Sequence, residues 1–202
     1  MKNDQMHRRG KPVLGVDLDD VILDFNESLQ AFHNSRFGTS VRREDVVTYD
    51  IEKIWGCSAE EASRRIFDFC RSDEHSMASP VSGAFEGVRH LGKSHELNVI
   101  SSRGDQVKDP TLRWIRKHFD GHFASIVLTN QYFGLPEKVR SKADVCRELG
   151  VGVMIEDSMS QAKEIAASGC RVLLLDCPWN QGDLPENVTR IYSWKEIVAH
   201  LR

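Results

Sequence analysis

The sequence predicts an α/β fold: a Rossmann-like, three-layer parallel sheet with a small helical cap inserted after the first strand. Three observations lead there. Short apolar runs alternate with helix-like patterns through the second half of the chain. The first such run, Val13 to Val16, ends in Asp17-Leu18-Asp19-Asp20, and a later one ends in Glu156-Asp157. A long mixed stretch, Asn26 to Ser82, separates the first strand from the alternating pattern. The boundaries that follow are a core of residues 12–25 and 83–202 with a cap over 26–82.

Val13 to Val16 has the length and apolar character of a buried strand. Beyond it, Ile22, Phe25, Leu29 and Phe32 recur at helical spacing, and Gly38 ends that helix near its C′ position. Residues 42–55 read as loop, and Ser58 with Glu61 forms a capping box for a helix reaching Ile66 and Phe69. Pro80 to Ala84 is a loop before a helix from Phe85 to Leu91. Strands are then expected at Leu97–Ser101, Ala124–Leu128, Val151–Ile155 and Arg171–Leu175. The helices between them begin at Asp109 as N-cap with Pro110 at N1, at Ser141, and at Ser160. Ser193 and Glu196 cap a final helix.

Composition narrows the function classes. Of 202 residues, 40% are apolar and 28% charged, which suits a globular domain with a real core. A formal net charge of −3 argues against a nucleic-acid polymer as partner. No apolar run approaches the roughly 20 residues of a membrane span. Met1 to Lys11 is polar and basic and reads as a frayed tail, not a signal peptide. Five cysteines, with no Cys-x-x-Cys pair, read as reduced thiols in a cytoplasmic protein. The histidines show no zinc-site spacing, and no phosphate-binding glycine motif is present.

The chemistry lies in the acids. Side chains at i and i+2 of an extended segment point the same way, so Asp17 and Asp19 face one site. Clustered carboxylates repel unless a cation or shared proton relieves them. Acids closing two parallel strands meet in one crevice, where open α/β sheets bind ligands. A hard cation with phosphate is the simplest occupant, and Mg²⁺ the expected ion. Each element has a plainer reading: Asp17 as a helix cap, Ser101 as a hydroxyl capping its own backbone, Lys142 or Lys138 as solvated charge.

Taken in order, Asp17-Leu18-Asp19-Asp20-Val21, Ile100-Ser101, Lys142 and Ile155-Glu156-Asp157-Ser158 resemble the four motifs of the haloacid dehalogenase-like (HAD) phosphohydrolases. The resemblance implies that Asp17 is the nucleophile forming an aspartyl-phosphate and Asp19 the general acid and base. It implies phosphate contacts from Ser101, Ser102 and Lys142, with Lys138 as the alternative lysine. It implies Mg²⁺ on Asp17, Asp157 and the backbone carbonyl of Asp19, with Glu156 either coordinating or orienting Lys142.

A closer resemblance, from about Val13 to Trp194, is to the 5′(3′)-deoxyribonucleotidases and related bacterial nucleotidases. It is carried by Val16 to Phe25, Pro80-Val81-Ser82-Gly83-Ala84, Val99 to Arg103, and Ile155 to Ser158. Asp20 stands where that family has Gly, and Arg103 where its better-known enzymes have Pro. The implied activity is a phosphomonoesterase acting on a small phosphomonoester, most specifically a nucleoside monophosphate. A sugar phosphatase is the near alternative, and a silent binding domain the distant one. Phe25 would face the substrate. Trp55 and Tyr132 are further base-stacking candidates, Trp55 foremost. Arg103 adds an anion contact or is a solvated loop charge. Trp179 and Asn180 border the site or merely turn the chain. A homodimer stays open.

Overall fold

A computed structural model describes residues 10–134 and 136–202. The expected tail, Met1 to Lys11, falls almost wholly outside them.

Six parallel strands form one sheet: β1 (Val13–Val16), β2 (Glu96–Arg103), β3 (Ser125–Tyr132), β4 (Val153–Glu156), β5 (Arg171–Leu175) and β6 (Val188–Ile191). Their order is β3-β2-β1-β4-β5-β6. The chain leaves β1 in one direction and returns to its other side at β4, so a topological switch point lies between these two strands. Leu14 pairs with Val153 and Val16 with Ile155, which brings both acidic segments to the same sheet edge. Gly15 suits this closeness, because a Cβ there would lie 2.5 Å from Met154 Sδ and force that side chain to shift.

The strands alternate their faces. Leu14, Val16, Val99 and Ile155 pack with Trp114, Phe119, Trp194 and Ile197. These last come from α6 (Lys108–Phe119) and α9 (Trp194–His200), beside α5 (Ala84–Leu91). On the opposite face Met154, Val172 and Leu174 meet Cys146, Ala162 and Ile165, from α7 (Lys142–Leu149) and α8 (Met159–Ala167). Ser141 and Ser193 cap their helices by accepting from the Asp144 and Glu196 amides.

Between β1 and β2 lie α1 (Phe25–Phe37), α2 (Ile51–Trp55), α3 (Ala59–Cys70) and α4 (Asp73–Met77), then α5. The first four bury a cluster of their own around Leu29, Phe32, Ile51, Trp55 and Phe69, which Cys177 and Trp179 join from the sheet domain. Gly38 ends α1 at φ 65° and Ser58 caps α3 through the Glu61 amide, as the sequence predicts.

Several boundaries differ from expectation. A short 3₁₀ turn, Asp105–Val107, starts α6 at Lys108, so Asp109 is not the N-cap and Pro110 lies deeper in the first turn. Ser158, not Ser160, caps α8. Residues 42–55, read as loop, hold a 3₁₀ turn at Arg43–Asp45 and the helix α2. The edge strand β6 is too short and polar (Val-Thr-Arg-Ile) to stand out by periodicity.

Candidate active site

A cleft of about 510 Å³ opens over the carboxyl ends of β1, β2 and β4. Asp17, Asp19 and Asp20 line it with Ser102, Arg103, Lys142, Glu156 and Asp157 from the sheet side. Phe25, Leu29, Tyr49, Ile51, Ala62 and Ile66 line it from the helical insert.

Asp17 continues β1, its amide donating to the Ile155 carbonyl at 2.9 Å. Its Oδ1 lies 2.9 Å from Lys142 Nζ, which also donates to Glu156 Oε2 at 2.7 Å. Lys142 is 1% exposed at the first turn of α7. Lys138 is surface-facing and paired with Asp105 instead. Of the two lysines, Lys142 is the one that sits in the acid cluster.

Ligand oxygens of Asp17, Glu156 and Asp157 all lie within 4.8 Å of one another. Burial, then repulsion from Glu156, pushes Asp17 up to about 8 against the pull of Lys142. Burial and the Asp17 charge push Asp157 up to about 7. Asp17 and Glu156 in turn hold the Lys142 ammonium above its usual range despite burial. Three buried carboxylates against one ammonium leave uncompensated negative charge, and an all-oxygen donor set suits a hard divalent cation. The residues present thus fit Mg²⁺.

The two motif acids differ in their partners. Glu156 Oε1 accepts from the Ser158 amide at 3.1 Å while Oε2 accepts from Lys142. Asp157 Oδ2 accepts from Tyr49 Oη and Trp179 Nε1, both at 2.8 Å. Asn180 Nδ2 donates to the Asp157 carbonyl at 2.7 Å, so Trp179 and Asn180 border the site and hold it.

Asp20 sits at φ 55°, a left-handed conformation that favours Gly and tolerates Asp. Its Oδ1 caps α1 by accepting from the Asn26 amide at 3.0 Å.

Asp19 is gripped by Arg103, with Nε on Oδ2 at 3.0 Å and Nη2 on Oδ1 at 2.8 Å. Arg103 Nη1 lies 2.9 Å from both His75 Nε2 and Thr111 Oγ1. Arg103 is 3% exposed, so its reading as a solvated charge is incorrect, and its guanidinium is committed to Asp19.

The hydroxyl pair also divides. Ser101 Oγ is buried and accepts from the Arg103 amide at 3.2 Å, which leaves its own proton free to donate. Ser102 lines the cleft and donates to Gln131 Oε1 at 2.8 Å. Gln131, which the sequence did not single out, is fixed by β3 and its tight following loop. Asn130 and Phe133 adopt φ of 61° and 55° there, and a Cβ on Gly104 would come within 2.3 Å of Gly134.

Phe25 lines the cleft, its ring 5.1 Å beneath the Arg103 guanidinium. Tyr132 also lines it. Trp55 does not: it stacks on His33 at 4.1 Å and donates Nε1 to Gln30 Oε1, both inside the insert. Its expected base-stacking role is therefore withdrawn. Helical spacing on α2 turned this large apolar ring into the insert's core.

A sequence profile of the family described as 5′ nucleotidase, deoxy (pyrimidine), cytosolic type C protein matches residues 11–201. The chain belongs to this family. A nucleotidase from Clostridium acetobutylicum is 24% identical over 90% of this chain and 89% of its own. The 5′(3′)-deoxyribonucleotidase of Bacillus subtilis is 22% identical over 95% and 99%. Among solved structures, the HAD-like hydrolase SP0104 from Streptococcus pneumoniae superposes with TM-score 0.69 at 13% identity, covering 95% of this chain and 99% of that one. The HAD-hydrolase YfnB from Bacillus subtilis, bound to magnesium, superposes with TM-score 0.64 at 16% identity over 95% and 98%. These superpositions establish the HAD-like fold, and family membership makes the protein a phosphoric monoester hydrolase of 5′-nucleotidase type. Among the described residues no helix is long and apolar enough to cross a membrane.

Proposed function

We propose that the protein is a Mg²⁺-dependent 5′-nucleotidase that hydrolyses nucleoside monophosphates through an aspartyl-phosphate on Asp17. The observation that carries this reading is the Asp17–Lys142–Glu156–Asp157 cluster at the β1/β4 switch point. Mg²⁺, when bound, would hold the carboxylate and the phosphate together and offset their charges. Asp17, Asp157 and the backbone carbonyl of Asp19 are its protein ligands in this reading. Glu156, with both oxygens already accepting, orients Lys142.

An Asp17 oxygen attacks phosphorus while the bond to the leaving oxygen breaks. Asp19 protonates the leaving alkoxide. Asp19 then takes a proton from water as the water oxygen attacks phosphorus, and inorganic phosphate leaves with the Asp17 carboxylate restored. Ser101, Ser102 and Lys142 steady the phosphoryl oxygens. Residues 26–82 act as the cap and, with Phe25, supply the apolar wall for the nucleoside. The free cysteines fit a reducing cytoplasm.

The test is phosphate release from nucleoside 5′-monophosphates, nucleoside 3′-monophosphates and sugar phosphates, with Mg²⁺ and with EDTA. The reading expects Mg²⁺-dependent release with a nucleotide as best substrate. A sugar phosphate preferred over every nucleotide would overturn the substrate, and undiminished release in EDTA would overturn the metal.

A further inference from the structure

The cleft is spanned by a contact that the proposed reaction does not use. Tyr49 lies in the insert, and its hydroxyl crosses to Asp157 Oδ2, 108 residues away in sequence. Half of the tyrosine's surface stays exposed, yet the hydroxyl points inward. The same oxygen takes the Trp179 indole N–H. The indole is itself held between insert residues: Tyr49 meets it edge-on at 6.3 Å, and the Arg43 guanidinium lies 4.9 Å over its ring. Arg43 also donates to Cys177 Sγ at 3.3 Å and lies 3.9 Å from Asp20 Oδ1. The segment from Arg43 to Tyr49 is therefore fastened to the sheet domain through Trp179, Cys177 and Asp20, and Tyr49 alone carries it to Asp157.

We propose that Tyr49 is a positioning residue that couples closure of the insert to cation binding at Asp157. This rests on the reading of the acid cluster as a Mg²⁺ site. Two donors on Oδ2 fix the plane of the carboxylate and leave Oδ1 for the cation. Hydrogen-bond partners of ligating carboxylates set ligand orientation and hence affinity. Unlike Trp179, Tyr49 belongs to the insert. Its hydroxyl makes the contact only when the 43–49 segment is down. Coupling between two sites is reciprocal. An insert held down by Tyr49 tightens the cation site, and a bound cation holds the insert down.

The experiment compares wild type with Tyr49→Phe, which keeps the ring and removes only the hydroxyl that reaches Asp157. Mg²⁺ affinity is measured by titration calorimetry without substrate, and hydrogen exchange of residues 43–50 with and without Mg²⁺. The expected result is a Kd roughly tenfold weaker in Tyr49→Phe. Mg²⁺ should slow exchange across this segment in wild type but not in the variant. Equal Mg²⁺ affinity in the two proteins would overturn the coupling, as would equal Mg²⁺-induced protection. A wild type that binds no Mg²⁺ would instead bring down the cation site on which the coupling rests.

Discussion

Arg103 holds Asp19 by both carboxylate oxygens, at 2.8 and 3.0 Å, and ties it through His75 to the insert and through Thr111 to α6. The pair fixes the residue proposed to move protons, and it does so across 84 positions of sequence. Replacing Arg103 with Met leaves Asp19 without its partner and strips His75 and Thr111 of a donor. The expected cost is about 3 kcal/mol in urea unfolding, with phosphate release falling at least tenfold. Arg103→Lys keeps the charge but loses the fork and should fall between. Wild-type stability in Arg103→Met would show that the pair is idle.

The two candidate lysines give opposite expectations. Lys142→Met leaves Asp17 and Glu156 buried without their cation, a loss of about 3–5 kcal/mol, and should abolish activity. Lys138→Met removes an exposed, solvent-screened pair with Asp105 and should leave both the melting temperature and phosphate release near wild type. Thermal melts and phosphate assays of the two variants check both statements.

What the sequence made legible was whatever local periodicity encodes. The β1 and β4 acids, the Lys142 helix start, and the Ser58, Ser141 and Ser193 caps all follow from spacing within a few residues. What it hid depends on contacts between residues far apart in the chain. Arg103 and Asp19 are 84 positions apart, and Tyr49 and Asp157 are 108. Nothing near Tyr49 marks it out, since a tyrosine between Thr48 and Asp50 looks like ordinary loop. Trp55 misled for a related reason. An aromatic beside Gly56 is equally compatible with a substrate wall and a helical core, and only the packing of α1 against α2 decides.

Without metal, stability should fall between about pH 6.5 and about pH 8. Asp17 and Asp157 titrate near 8 and near 7 in the folded chain, against 3.8 unfolded. Across this range the folded state holds protons that the unfolded state has released, so rising pH favours unfolding. His75, lowered to about 3 by burial and Arg103, works in the opposite direction only below its unfolded value of 6.5. Saturating Mg²⁺ binds the ionised carboxylates and should raise the melting temperature most at the alkaline end. Melts at both pH values, with Mg²⁺ and with EDTA, read this directly; a metal-free melting temperature that rises with pH would contradict it.

Trp55→Phe should lower stability and spare substrate affinity. The substitution leaves buried Gln30 Oε1 without its donor, an expected loss of about 1–3 kcal/mol. KM for the best nucleotide should match wild type, because Trp55 lies behind the cleft wall. A KM raised tenfold with unchanged stability would return Trp55 to the substrate.

The most direct test of the account is mass spectrometry of protein quenched in acid during turnover of a nucleoside monophosphate with Mg²⁺. One added phosphoryl group is expected on the peptide containing Asp17, absent in Asp17→Asn and in EDTA. Rapid turnover with no phosphoryl group on that peptide, or turnover by Asp17→Asn at the wild-type rate, would contradict it.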